Sequence, residues 1–268
     1  MISIVYLITG LNQLFGAFEH YPSAPEAVAT GYLLVNTQSN PIGTFSDPAS
    51  VMLFEKSKFG VAWGEKFSLK ALSHRSAVIA GSFRRWNISA GGSVFGDKLY
   101  RETIWGIVTG TKIKKKLILG ASVMIYDLKI KQYGSDRTAG LNLGWRAALD
   151  DNIHWFGSLR NINAPIIGKS KDSLPQVISS GFLVDPSKKV QFIFEWEQET
   201  LNESRIKFGG EFLLMPWISV CAGHATSPNQ LTLGINIDYK QIKISYAFST
   251  HNYLDISHWM GVGFSIQR

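Results

Sequence analysis

Residues 188–214, KKVQFIFEWEQETLNESRIKFGGEFLL, decide the fold because apolar and polar side chains alternate twice along them. The apolar positions are, in order, Val190, Phe192, Phe194, Trp196, Ile206, Phe208, Phe212 and Leu214. A period of two is typical of a β-strand whose two faces meet different surroundings. The sequence therefore predicts a hairpin of two amphipathic strands, with a turn near residues 200–202.

The polar face of this hairpin carries opposite charges at facing positions. With the turn at 200–202, Glu197 faces Arg205 and Glu195 faces Lys207, an arrangement that stabilises paired strands. The pattern predicts an ion-pair ladder made of Glu195, Glu197, Arg205, Lys207 and Glu211. In a membrane barrel the ladder lines the lumen and the aromatic row faces lipid. In a soluble sandwich or barrel the aromatic row faces the core and the charges face water.

Composition limits the classes of protein that remain. The chain has 268 residues, 45% hydrophobic, with a single cysteine, which excludes an internal disulfide framework and a cysteine-based metal cluster. The net charge is +7, but most basic residues are scattered and no basic helix or aromatic-basic motif accompanies them. We therefore expect no nucleic-acid partner.

The N-terminal region divides into two segments before the first strand. Residues 2–16 form an apolar run with the length of a signal-peptide core, too short to cross a bilayer as a helix. An ordinary buried strand or helix is the alternative. The predicted boundaries are a signal peptide at 1–17, an irregular leader interrupted by prolines at 18–56, and a β-barrel at 57–268.

The remaining chain reads as about fourteen strands, most of them ten to twelve residues long. They lie near 57–64, 75–84, 86–96, 101–112, 117–128, 137–148, 152–162, 175–185, 188–199, 203–214, 217–226, 229–239, 240–250 and 256–267. This number and length are typical of outer-membrane barrels. The predicted fold is an all-β, transmembrane, antiparallel up-and-down barrel with a plug-like N-terminal segment. Its last strand must pair with its first, because lipid cannot satisfy a free sheet edge.

The connections and strand ends support the same interpretation. Turns after even-numbered strands are short, whereas long loops are predicted at 65–74, 129–136, 163–174 and 250–255, as in barrels with periplasmic turns and external loops. Aromatic residues near strand ends predict interfacial girdles at Trp86, Tyr126, Trp217, Tyr239 and Trp259. Strands 101–112 and 117–128 are apolar on both faces, so the pattern does not assign their facing.

Several other positions are predicted to face the lumen. The polar ones are Asn142, Arg146, Asn236, Asp238 and Lys243. Small inward residues, at Gly140, Gly144, Gly234, Gly261 and Gly263, leave room for the leader inside the barrel.

Two short stretches resemble a known family. The leader contains Asn40-Pro41 and then Asp47-Pro48-Ala49, similar to an N-P-A-G-L segment before the first strand. Near the C-terminus the residues Tyr246-Ala247-Phe248, His251, Leu254, Ser257 and His258 resemble a Y-A-F-x-x-H-x-x-L-G-x-x-H hairpin. Both patterns are those of FadL-like outer-membrane barrels of the PorV/PorQ type, which are associated with type IX secretion. Asp47 and Ser50 replace the usual Asn and Gly of the first pattern, and Asp255 replaces a Gly of the second.

The resemblance implies a location in the outer membrane of a Gram-negative cell envelope, surrounded by outer-membrane lipid. It implies either passage or retention of a hydrophobic small molecule in the lumen, or docking of envelope or secretion-system proteins through the external loops. A purely structural membrane anchor of a larger assembly is the alternative, and a soluble β-protein is a third.

No pattern in the chain predicts catalysis or a cofactor. The six histidines show no metal-binding spacing, and His251 and His258 fit a loop-ordering role better than a metal site. Glu195, Glu197 and Glu199 share one strand face opposite basic residues, which indicates ion pairing rather than acid–base chemistry. We therefore expect neither an enzyme nor a metal protein.

Overall fold

The computed structural model describes residues 16–19, 21, 23–34, 40–83, 86–114, 116–200 and 202–266. Fourteen strands form a closed antiparallel barrel in which neighbours in sequence are neighbours in space, and the first strand pairs with the last. The barrel strands are β1 (Ser57–Glu65), β2 (Ser73–Phe83), β3 (Trp86–Gly96), β4 (Tyr100–Lys114), β5 (Leu117–Ile130), β6 (Gly134–Ala148), β7 (Ile153–Arg160), β10 (Val177–Ser187), β11 (Val190–Glu199), β12 (Arg205–Met215), β13 (Ile218–Ala225), β14 (Gln230–Tyr239), β15 (Ile242–Ser249) and β16 (Ser257–Ile266). Two short strands, β8 (Ile166–Ile167) and β9 (Asp172–Ser173), pair outside the barrel. The predicted fold is confirmed.

The hairpin at 188–214 adopts the predicted register and facing. Glu195 pairs with Lys207 and Glu197 with Arg205 across β11 and β12. Phe194 is exposed on the outer surface, whereas Glu195 is buried inside. Because the sheet closes on itself, a two-sheet sandwich is ruled out.

The two ends of the barrel differ in their connections. At one end, which we call the short-turn end, two to four residues separate consecutive strands. At the other, the long-loop end, connections reach sixteen residues between β7 and β10. The prediction of a long loop at 129–136 is wrong. Strands β5 and β6 stay paired as far as Ile130 and Gly134, and only a three-residue turn joins them.

The described part of the leader lies inside the barrel, where we call it the plug. It contains one α-helix, α1 (Pro25–Ala29), and two 3-10 helices, Pro41–Phe45 and Pro48–Leu53. α1 contacts the wall at β13–β16, and the second 3-10 helix contacts β3–β6. Within the described residues, no helix has the length and apolarity needed to cross a membrane.

Glycines on the inner wall allow the plug to approach closely. Gly209 and Gly223 face each other across β12 and β13, and the backbone of Thr30 lies directly on both. Gly31 continues this contact with a positive φ of 95°, a conformation that favours glycine. Four of the predicted small inward residues also lie against other groups: Gly144 against the second 3-10 helix, Gly234 and Gly261 against α1, and Gly140 against Asn161.

Two of the predicted girdle residues lie inside instead. Trp259 packs over Gly64, its partner on β1, and Tyr126 stacks edge-on against Phe18 of the plug. Gly64 leaves room inside for the Trp259 ring, and Phe18 packs against the Tyr126 ring. A position near a strand end does not reveal either contact. Trp86, Trp217 and Tyr239 are exposed at the short-turn end, as predicted.

We expect Gly223→Val to displace the plug, because the new side chain would overlap the Thr30 carbonyl group. Overpacking of this kind costs about 1–3 kcal/mol. Limited proteolysis of the leader measures the displacement, and heat modifiability in electrophoresis verifies that the barrel is folded. Ala222→Val enlarges the adjacent, outward-facing residue and serves as the matched control. Equal protection of the leader in both variants would show that the glycine contact does not hold the plug.

Candidate functional site

A buried ammonium group joins the plug to the barrel wall. The Nζ of Lys207 donates to Glu195 Oε1 at 3.0 Å, to Glu197 Oε2 at 2.7 Å and to the Tyr32 carbonyl at 3.2 Å. The other oxygen of Glu195 accepts the backbone N–H of Leu34 at 2.7 Å. The exposed fraction is 3% for the Lys207 side chain and 0% for that of Glu195. All three ammonium donors are therefore used, one of them on the plug.

The predicted ladder continues toward the long-loop end but not toward the other end. Arg205 Nη1 lies 3.5 Å from Glu197 Oε1, and Arg160 of β7 approaches the same carboxylate at 4.0 Å. The Arg160 guanidinium also lies 4.6 Å above the ring of Tyr21 in the plug. Glu211 instead accepts from Ser219 and Asn236, without an ion pair among the described residues.

Asn142 connects the plug, the barrel wall and the sixteen-residue loop between β7 and β10, which we call the mouth loop. Its Nδ2 donates to the Tyr21 hydroxyl and to Ser122 Oγ, both at 3.1 Å, and its Oδ1 accepts the Asn161 N–H. Asn161 in turn accepts from the Tyr126 hydroxyl at 2.8 Å and donates to the Pro175 carbonyl. One buried network therefore fixes the sixteen-residue loop over the lumen.

The N-terminal family-like residues lie at the short-turn end of the plug. Asn40 caps the first 3-10 helix through the Ile42 N–H, and Pro41 occupies its first turn. Pro48 lies against Gly120, and Ala49 is fully buried. These residues therefore shape the plug where it meets the wall.

Asp47 faces Arg146 in a buried pair, with 3.5 Å between Oδ2 and Nη2. Burial raises the pKa of Asp47 above its ordinary value, and the positive charge of Arg146 opposes that shift. Asp47 thus places a carboxyl group beside an arginine on the wall. The pair links the plug to β6.

The remaining predicted lumen residues lie on β14 and β15. Asn236 donates to Ser219 and Cys221 on the neighbouring strand β13 and to Glu211 on β12. Lys243 pairs with Asp238 at 3.2 Å near the short-turn end, where Asp238 is exposed.

Above β14 and β15, Glu26 of α1 accepts a hydrogen bond from Ser245 at 2.8 Å, and Thr232 donates to the Ala29 carbonyl. This part of the lumen is polar, and it holds α1 by directional contacts.

The opposite part of the lumen is apolar. Val78 of β2, Ile104 and Val108 of β4, and Met124 of β5 are buried on the inner face and pack with plug residues. The plug contributes Phe18, Ala24, Ile42, Phe45 and Val51 to this cluster. On the outer face of β4, Trp105 is 55% exposed, whereas Val108 inside is 0% exposed. Strands β4 and β5 are thus apolar on both faces because one face meets the plug.

The sequence pattern alone does not mark this apolar wall as a site. The signal was present in strands 101–112 and 117–128, whose two-sided apolar pattern has no place in a barrel with a uniformly polar lumen. At the long-loop end the wall is completed by Ile167 and Leu174 of the mouth loop. Nearby, Glu102 accepts the Phe18 N–H at 2.8 Å.

The C-terminal family-like residues lie at the seam between the first and last strands. His251 Nδ1 accepts the N–H groups of Tyr253 and Leu254, and its ring packs edge-on against Phe67. Ser257 accepts the Phe67 N–H, and His258 pairs with the Tyr246 hydroxyl. These residues order two neighbouring loops. In the part of the chain that the structure describes, no cluster of His, Cys, Asp or Glu could hold a metal ion.

We expect Lys207→Met to destabilise the protein by about 3–5 kcal/mol, because Glu195 is left buried without a counter-charge. Adding Glu195→Gln should recover most of that loss, since the double variant buries no unpaired charge there. Denaturant titration in detergent of the wild type, the two single variants and the double variant measures the coupling energy between Lys207 and Glu195. Strictly additive effects would contradict the proposed dependence of Glu195 on Lys207.

Known proteins resemble this chain in fold but not in sequence. No protein-family model and no curated protein matches the chain in sequence. Among solved structures, the CymD monoaromatic hydrocarbon channel is similar with a TM-score of 0.74 and 10% identity, over 94% of this chain and 100% of that chain.

Two further structures have the same architecture. The toluene transporter TbuX of Ralstonia pickettii has a TM-score of 0.69 at 10% identity, covering 93% of this chain and 100% of that one. A FadL homologue of Pseudomonas aeruginosa has a TM-score of 0.68 at 9% identity, covering 91% and 98%. At such low identities the likeness concerns the fold alone. The chain therefore has a FadL-like barrel fold.

Proposed function

We propose that this chain is an outer-membrane barrel that passes small hydrophobic molecules, with the plug controlling access to the lumen. The observation that carries the proposal is the apolar inner wall of β2, β4 and β5, packed against Phe18, Ile42 and Phe45 of the plug. A channel for hydrophilic solutes has a polar lumen instead. Similarity of fold to a monoaromatic hydrocarbon channel and a toluene transporter supports the same substrate class.

The outer surface supports a membrane location. Large apolar side chains are exposed along the outward faces of the strands, including Ile79, Ile107, Phe194 and Phe208. In water such a continuous apolar belt would favour aggregation, whereas hydrocarbon accommodates it. Trp145 and Trp155, with ring centroids 5.6 Å apart, add to the aromatic residues at the short-turn end. Long loops at the opposite end support an orientation in which that end faces the cell exterior.

We expect Phe194→Lys, at the middle of β11, to destabilise the barrel in lipid vesicles by about 2–4 kcal/mol, the cost of a lysine near the bilayer centre. Guanidinium titration in phosphatidylcholine vesicles measures this change. Tyr253→Lys is the matched control, because Tyr253 is 91% exposed in a loop. A Phe194→Lys protein as stable as the control would exclude contact of this face with lipid.

We expect a disulfide between plug and wall to block transport. The hydroxyls of Thr44 and Ser89 lie 2.7 Å apart, so Thr44→Cys/Ser89→Cys places two thiols in contact, away from the buried Cys221. Cells expressing the oxidised double variant should accumulate radiolabelled toluene no faster than cells without the barrel. A reducing agent should restore the wild-type rate.

Single-cysteine variants control for the substitutions themselves. If the oxidised protein transports as fast as wild type, the plug need not move at this point. If wild type gives no uptake above that of empty cells, the transport proposal fails and a structural anchor becomes the better account.

A docking role, which the PorV/PorQ resemblance implies, is a second proposal. The loops at the β1–β16 seam expose Leu69, Tyr253 and Leu254. Apolar side chains in external loops favour contact with another envelope protein over contact with water. Such docking is compatible with a plugged barrel and does not require transport.

A further inference from the structure

Two basic side chains face each other on the outer wall of the barrel. Arg101 of β4 and Lys129 of β5 are directly paired across the strands, and both are exposed. Like charges in facing positions destabilise a strand pair unless another group offsets the repulsion. Within the described part of the chain, neither forms an ion pair. In the turn before β4, the carboxylate of Asp97 accepts the N–H groups of Leu99 and Tyr100.

Further positive charge surrounds this pair. Lys98 and Lys131 are exposed in the two adjoining turns, which are tied together by the hydrogen bond from the Lys131 N–H to the Leu99 carbonyl at 2.8 Å. Arg137 on β6 is already neutralised by Asp127, with 3.0 Å between Nε and Oδ2. Among the described residues around this pair, the positive charges without an ion pair are therefore those of Lys98, Arg101, Lys129 and Lys131, which we call the basic rim.

The basic rim lies just beyond the apolar belt. Trp105 follows Arg101 by four residues on the same outward face of β4, a distance of roughly 13 Å along a strand. Between Arg101 and Trp105 along the barrel wall lies the cross-strand row of Thr103, Asp127 and Arg137. With Trp105 in hydrocarbon, the rim is at the depth of lipid headgroups.

We propose that the basic rim binds the phosphate groups of a glycolipid in the leaflet around the long-loop end. The proposal rests on the membrane orientation given above. Phosphate offers the charge and the acceptor oxygens that an arginine and a lysine bind together. Because the rim is on the side of the barrel rather than on its mouth, a neighbouring lipid reaches it more readily than a soluble macromolecule does. A bound phosphate also offsets the repulsion between Arg101 and Lys129.

The test compares two double variants of the full-length barrel in detergent. Arg101→Ser/Lys129→Ser removes the facing pair, whereas Lys188→Ser/Lys189→Ser removes two exposed charges at the short-turn end. Native mass spectrometry with bisphosphorylated lipid A measures the dissociation constants. We expect about twenty-fivefold weaker binding for the first variant, from roughly fivefold for each of the two basic side chains at an anionic lipid surface. The second variant should bind as wild type does.

Three results would overturn the proposal. They are equal weakening in both variants, unchanged binding after loss of the facing pair, and binding of dephosphorylated lipid A or phosphatidylglycerol as tight as that of bisphosphorylated lipid A. Heat modifiability verifies that each variant is folded. Since the assay reads lipid binding without transport, its outcome is independent of whether the lumen passes hydrocarbons.

Discussion

Backbone pairing between β1 and β16 is the constraint on which the rest of the structure depends. An open sheet with an apolar outer face would leave a row of unpaired N–H and C=O groups, which hydrocarbon cannot satisfy. Closure removes that edge and turns the fourteen strands into a wall with a separate inside and outside. Once the wall is closed, every inward polar group needs a partner within a narrow space. The plug supplies many of those partners.

The wall contacts the plug in two ways, and these divide the lumen into a polar part and an apolar part. On β11–β15 the wall holds the plug through groups of fixed geometry, such as the Lys207 ammonium and the Thr232 hydroxyl. On β2, β4 and β5 it holds the plug mainly by apolar packing around Phe45 and Ile42, beside the bond from the Phe18 N–H to Glu102. Directional contacts specify where α1 and Tyr32 lie, whereas apolar contacts mainly exclude water. The plug is thus held mainly by hydrogen bonds and an ion pair on one side and mainly by apolar packing on the other.

The sequence was sufficient for the parts of the fold that depend on alternation. The facing of Phe194 and Glu195 and the register of the 188–214 hairpin follow from a period of two and opposite charges, and both are found in the structure. The facing of Trp259 does not follow, because it depends on Gly64 across the β1–β16 seam, some two hundred residues away. Nor does the network of Asn142 and Asn161, which exists only once the mouth loop folds back over the barrel. Alternation reports the local environment of a strand, but contacts between distant segments require the closed shape.

The apolar wall shows why a two-sided apolar strand is informative in a barrel. Val108 and Met124 could have been polar at no cost to lipid contact, since they face inward. Their burial is offset only by apolar groups inside, at present those of the plug. A hydrocarbon makes the same non-directional contacts as the side chains of Phe45 and Ile42, so it suits the same apolar surface. Water does not, because it would need polar partners that this wall lacks. The chemistry of the wall therefore selects apolar occupants, whichever of them is bound.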